Sequence, residues 1–297
     1  MKEFFKDHKK AFIWLIPLVA IIVGTVMIAL GLQSATFPWS TTAEESVFTQ
    51  AELPETGTAE SSIDGNNDLP VGIPQEGPSG VHTVLFTLEK PSFTPKDAPS
   101  FDESAPAPWV SVHEDRPYFN DKELLALLEK NQTKIILSPL DETGRAGTAL
   151  MLAGPETLPQ VEREATGVYR PSGWHQNQYP GLVDSEPPYL MNRAHLLMWA
   201  LTGLTEEHEN LISGTRYMNT EGMLEAESQV LNYIKKTGNH VLYRVTPVFE
   251  GDDLFASGVL LEARSQEDED CVFCVYVYNV QPGVTIDYAS GENHLTE

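Results

Sequence analysis

Apolar residues alternating with polar ones, broken by turns rich in Gly, Pro and Asp, mark out most of the chain beyond residue 105. Trp109 to Val112, Gly147 to Ala153, Tyr189 to His195, Val241 to Phe249, Leu254 to Ala263 and Cys271 to Tyr278 read as strands. Gly251-Asp252-Asp253 joins two of these as a hairpin, and Pro282-Gly283 joins Cys271–Tyr278 to Thr285–Tyr288 as another. Helical spacing appears twice. Leu124, Leu125, Leu127 and Leu128 form a stripe over Lys122–Lys130, with Asp121 as its N-cap. Met223 to Lys236 is the clearest helix, closed by Gly238 as a C-cap. No internal repeat is present. The pattern predicts an α+β domain with a central antiparallel sheet and few helices.

The N-terminal third has a different pattern. Ala11 to Gly31 runs 21 residues without a charge, long enough to span a bilayer as a helix. Lys2, Lys6, Lys9 and Lys10 precede it, so the positive-inside rule places the N-terminus in the cytoplasm and the remainder outside the cell membrane. The alternative is a secreted protein whose signal peptide is cleaved near Ser34-Ala35-Thr36. From Gln33 to about residue 104 the chain is rich in Ser, Thr, Gly, Pro and acids. Thr41 to Gly80 has too little apolar surface to fold alone and reads as a tether. Val81 to Leu88 reads either as a short strand or as a docking segment. The expected organisation is a basic flank and anchor over 1–32, an acidic linker over 33–104 and a folded domain over 105–297.

Charge narrows the partners. Against 43 Asp plus Glu stand only 19 Lys plus Arg, a net −24. Tight static binding to nucleic acid normally draws on Lys and Arg, so that class is disfavoured. An enzyme that turns over a phosphate substrate is less constrained. Two cysteines, Cys271 and Cys274, form the whole thiol complement. A lone pair cannot make a four-ligand zinc site. At i and i+3 of a strand they face opposite sides, so they read as strand residues, with a disulfide as the alternative.

The candidate chemistry lies between Tyr189 and Lys236. On an extended segment Tyr189, Met191, Arg193 and His195 share one face. That places a phosphate-binding cation beside a group that can take a proton near neutral pH. Asn210 and Asn219 follow, and Glu227 lies eight residues beyond Asn219, in a neighbouring sector of one helix face. A neutral amide with a carboxylate nearby suits a hard cation that keeps most of its water, as magnesium does. Taken singly, each residue also has a plain structural reading: a satisfied strand-end histidine, an N-cap or turn asparagine, an exposed helix glutamate.

Asn192-Arg193-Ala194-His195, Asn210, Asn219 and Glu227, in that order and spacing, resemble the DNA/RNA non-specific endonucleases of the ββα-metal class. The likeness is nearest to the bacterial membrane-anchored DNA-entry nucleases. Leu140–Arg145, Arg170–Trp174 and Val277–Tyr288 extend it over roughly residues 105 to 291. The resemblance implies the ββα-metal nuclease fold and hydrolysis of DNA and RNA. His195 is the implied general base, with Arg193, Asn210 and Glu227 as further catalytic residues. Asn219 is the implied ligand of Mg2+, for which Mn2+ is the alternative, with Glu227 acting through water. Arg193 and Arg216 are the implied substrate contacts. Two positions depart from the family's Asp-Arg-Gly-His motif, with Asn192 for Asp and Ala194 for Gly; both bear on rate more than on reaction type. Two other readings remain: a surface module that kept the fold without catalysis, and a released nuclease toxin.

Overall fold

The computed structural model describes residues 75–76, 81–163 and 167–297. The chain divides into two compact units, Met1–Gly65 and Asn66–Glu297, and every described residue belongs to the second. The anticipated membrane span at 11–31 lies outside the described residues. Among those described, no helix is long and apolar enough to cross a membrane.

An eight-stranded sheet forms the scaffold. Its strands are β1 (Gln75–Glu76), β2 (His82–Leu85), β3 (Trp109–Ser111), β4 (Ile135–Leu137), β5 (Ala149–Ala153), β8 (Val241–Val248), β9 (Gly258–Ser265) and β10 (Val272–Tyr278). They lie in the order β1-β2-β4-β5-β8-β9-β10-β3, antiparallel except for the β2–β4 pair. Alternation along the strands covers both faces. On one face Ile135, Met151, Tyr243, Leu261 and Val275 belong to the main core. On the other, Ile136, Leu150 and Leu242 pack beneath α1 (Asp121–Lys130), while Leu260, Cys274 and Tyr276 gather around Phe93.

Two smaller ribbons complete the α+β architecture: β6 (Met191–His195) with β7 (Leu211–Thr215), and β11 (Val284–Ile286) with β12 (Asn293–Leu295). A single helical turn, α2 (Trp199–Thr202), lies in the connection between β6 and β7. After β7 the chain enters a π-helical stretch, Met218–Met223, that runs directly into α3 (Leu224–Thr237). Ala226, Glu227, Val230, Tyr233 and Ile234 are the buried stripe of α3. Gly238 ends the helix at φ +74°, its N–H donating to the Ile234 carbonyl at 2.8 Å, as a left-handed cap should.

Several local expectations shift. The folded unit extends N-terminal to 105, because Thr83–Leu85 pair with Ile135–Leu137 and Phe93 is buried. Pairing with β4 decides between the two readings of Val81–Leu88 in favour of the strand. Asn120 caps α1 instead of Asp121, its side chain accepting from Lys122 N at 3.1 Å. Val284–Ile286 pairs with β12, since both edges of β10 are already taken by β9 and β3. The two cysteines are free and buried, Cys271 in the core beneath α3 and Cys274 on the opposite face.

Candidate active site

The β6–β7–α3 unit gathers the residues singled out above. In its ribbon Arg193 pairs with Ser213, Ala194 with Ile212 and His195 with Leu211. Ala194 turns into the main core opposite His195. A Cβ on Gly214 would come within 2.8 Å of the Ala194 Cβ, so the glycine of β7 leaves room for this alanine. Ala194 is not among the residues with positive φ, and its methyl group is accommodated without backbone strain.

Fixing this unit to the sheet falls to one buried amide. Asn279 accepts from Thr215 N at 2.9 Å and donates to the carbonyls of Ser213 and Ala256, each at 3.0 Å. Gly222 completes the docking, since a Cβ there would meet Val277 Cγ1 at 2.3 Å. The helix carrying Asn219 and Glu227 is therefore held against β10 at the closest approach that glycine allows.

His195 stands at the end of β6 with 8% of its surface exposed. Its Nε2 lies 3.2 Å from the carbonyl oxygen of Thr205. A carbonyl only accepts, so Nε2 carries the proton and Nδ1 is the basic nitrogen of the neutral ring. Burial, followed by the charge of Arg163, pulls the imidazole pKa down to about 4, and the Thr205 hydrogen bond only partly opposes this. The ring is neutral at neutral pH and able to accept a proton.

Arg193 shares that face of β6. Its Nε donates to the Tyr169 carbonyl and its guanidinium carbon lies 5.1 Å from the centre of the Trp174 ring. Among the described residues its two terminal nitrogens make no hydrogen bond, so they remain available to an anion. The half-buried Trp174 packs against the cluster of Leu190 and Phe255 and serves as the platform for this cation. Arg216 follows β7, and its buried Nε has no hydrogen-bond partner among the described residues. His208 stacks on Tyr169 at 3.7 Å between ring centres.

Asn210 has a different place. It is fully buried, accepting from Leu197 N and donating to Leu197 O, both at 2.9 Å. It holds the loop after His195; a fully buried amide does not reach a phosphate. Asn192 is half-buried and its amide donates to Leu190 O at 3.4 Å.

Asn219 lies within the π-helical stretch, not at a cap, and its half-exposed carboxamide makes no hydrogen bond among the described residues. Glu227, roughly two turns along the helix, is 6% exposed, and no described group hydrogen-bonds to its carboxylate. Burial pushes its pKa up to about 8. Among the described residues no group of three or more His, Cys, Asp or Glu could hold a metal ion. The donor set instead fits a hydrated hard cation: one free amide oxygen, and one buried carboxylate that lacks any other partner.

Residues 131–267 match the model of the DNA/RNA non-specific endonuclease family. That match covers a little under half of the chain. β6, β7 and α3 form a strand–strand–helix unit within the matched residues. Among solved structures, the chain is similar to NucA from Streptococcus agalactiae with magnesium ion bound, at 25% identity over 55% of this chain and 79% of that one, with a TM-score of 0.49. It is also similar to the Sda1 nuclease with bound zinc ion, at 27% identity over 56% of this chain and 82% of that one, with a TM-score of 0.48.

Three parts of the nuclease site were not singled out as functional from sequence. The Thr205 carbonyl has no side-chain signature. Asn279 stood inside a family-like run, but its role appears only once β7 and β10 are brought together. Arg163 comes near His195 only through the fold.

Proposed function

We propose that the chain is a magnesium-dependent, sugar-nonspecific endonuclease that cuts DNA and RNA outside the membrane to which residues 11–31 tether it, with manganese as an alternative metal. The observation that carries the catalytic reading is His195: Nε2 is committed to Thr205 O, which leaves Nδ1 basic on a ring held neutral.

In that reading Nδ1 of His195 accepts a proton from water as the water oxygen attacks phosphorus. The bond from phosphorus to the leaving sugar oxygen breaks as the new bond forms. The free terminal nitrogens of Arg193, on the same strand face, hold a phosphoryl oxygen, and Arg216 contacts the substrate backbone beyond it. Asn219 would hold the metal and Glu227 would stand outside it, acting through water. When bound, the cation supplies charge relief to the phosphoryl and leaving oxygens. None of these contacts reads a base, so cleavage has little sequence preference. Asn210 contributes by fixing the loop that follows His195.

The test is to incubate the full-length chain with supercoiled plasmid in magnesium, in chelator, and as His195→Ala. The expected result is nicking that needs the metal and falls about a hundredfold or more in the variant. No cleavage by a folded chain in magnesium or manganese would leave a surface module with the nuclease fold. Recovery of the full-length chain in washed membranes, with the nuclease domain open to external protease, checks the tether. Release as a shortened soluble chain would indicate signal cleavage instead.

A further inference from the structure

Two stretches far apart in sequence meet beside Arg193, and a pair of stacked rings joins them. The first runs from Gly167 to Pro171, and its alternate residues do different things. Val168 and Arg170 are exposed, while Gly167, Tyr169 and Pro171 touch the β6–β7 ribbon or its connection. A Cβ on Gly167 would overlap the Glu206 carboxylate. The Tyr169 ring lies on His208, 3.7 Å between centres and 8° from parallel. Pro171 O accepts from Ser213 Oγ at 3.3 Å. The second stretch, Thr205–Asn210, leads from α2 into β7 and is tied to the site at both ends. Thr205 O takes the proton of His195 Nε2 at 3.2 Å, and Asn210 holds Leu197.

His208 stands between those two ends, solvent-exposed yet laid flat on Tyr169. Tyr169 is also the residue whose carbonyl accepts from Arg193 Nε. With Trp174 against the guanidinium, that carbonyl sets where the two terminal nitrogens of Arg193 point. A stacked ring pair biases an equilibrium by roughly two- to tenfold beyond its buried area. That is enough to seat an exposed stretch and too little to hold up the fold. We propose that His208 is a positioning residue of the nuclease site: by stacking on Tyr169 it seats Gly167–Pro171, so that the Tyr169 carbonyl aims Arg193 at the phosphate. In this role it touches neither substrate nor metal. One loop then sets both active side chains, His195 through the Thr205 carbonyl and Arg193 through the His208 ring. What the stack needs at position 208 is a flat ring, and the imidazole proton takes no part. This assignment rests on the phosphate-binding reading of Arg193 given above.

The test compares the full-length parent with His208→Ala, His208→Phe, Arg193→Ala and the double variant His208→Ala/Arg193→Ala. Two quantities are read: kcat/KM on plasmid in magnesium, and affinity for a fluorescent single-stranded oligonucleotide in chelator at low ionic strength. His208→Ala is expected to lower both about three- to tenfold, and His208→Phe to keep both within about twofold of the parent. In the Arg193→Ala background, removing the ring should change neither further, because the stack acts only through that guanidinium. A further loss in that background overturns the proposal, since general loosening of the loop would produce it. Parental values in His208→Ala overturn it too, as does a phenylalanine variant as weak as the alanine one. The urea midpoint of His208→Ala should stay close to that of the parent; if it falls, Tyr169→Leu breaks the stack from the other side and is held to the same outcomes. A parent that binds the oligonucleotide but cuts nothing sinks the nuclease reading and leaves the binding measurements to decide on His208. A parent that neither binds nor cuts overturns both.

Discussion

Two glutamates are buried among the described residues, and their surroundings could hardly differ more. Glu262, on β9 of the scaffold sheet, is fully buried and fully engaged: Arg244 grips it with Nε at 2.6 Å and a terminal nitrogen at 2.9 Å, and Tyr118 N donates to it at 2.7 Å. Phe119 stacks against the same guanidinium, 5.3 Å from its carbon. Glu227, on α3, has no described partner, and burial pushes its pKa up to about 8. A charge that serves the fold is surrounded by donors. A buried acid without such donors opposes folding, so Glu227, on the same helical run as the unengaged amide of Asn219, marks a place where stability has been given up for function.

The largest effect expected is on chemistry. His195→Ala should reduce plasmid cleavage by about 10²–10⁴-fold while leaving the urea midpoint nearly unchanged. A large loss of stability instead would move His195 to the scaffold side of the comparison. On the scaffold side, Glu262→Ala leaves Arg244 buried without its anion. It should destabilise the domain by about 3–5 kcal/mol in urea unfolding. A loss under about 1 kcal/mol would mean that pairing does not distinguish the two glutamates. Asn210→Ala sharpens the boundary, because it strands the backbone N–H and carbonyl of Leu197 next to the site. It should cost about 1–3 kcal/mol of stability, and any lost cleavage should return at lower temperature as the loop re-forms. Cleavage abolished in a chain of parental stability would return Asn210 to a direct role.

The smallest expected effect is on pH dependence. The folded pKa of His195, about 4, lies below its ordinary 6.5. The neutral ring is therefore favoured by folding. Its contribution to stability is fully present above about pH 6.5 and is lost as pH falls through about 4. Cleavage should accordingly hold its rate from neutral pH down to about 5 and fall below that as the ring charges. A rate that halves near pH 6.5 would show that the ring is not desolvated as the structure has it.

Much of this was legible from the sequence, and the exceptions share one cause. His195, Arg193, Asn219 and Glu227 were marked by residue type and spacing, which one strand and one helix turn into geometry. The central strands β8, β9 and β10 were equally plain, because long alternating runs are hard to mistake. Short strands were missed: Ile135–Leu137 is too brief to show a period. β2 was read as a strand or a docking segment, and only its pairing with β4 decides for the strand. The early start of the last helix was hidden by Gly222, a poor helix former kept for its contact with Val277. Asn210 and Asn219 looked alike on paper; one is locked onto Leu197 and the other is free. Only the partners tell a structural asparagine from a candidate ligand, and partners distant in sequence leave no local trace.

The most direct measurement of the central claim is Glu227→Gln, read twice on the full-length chain. Removing an unpaired buried acid should leave urea stability without metal equal to or above that of the parent, while metal-dependent plasmid cleavage falls about 10–100-fold. Lost stability with retained cleavage would contradict the account, because Glu227 would then belong to the fold and the site would have to be sought elsewhere.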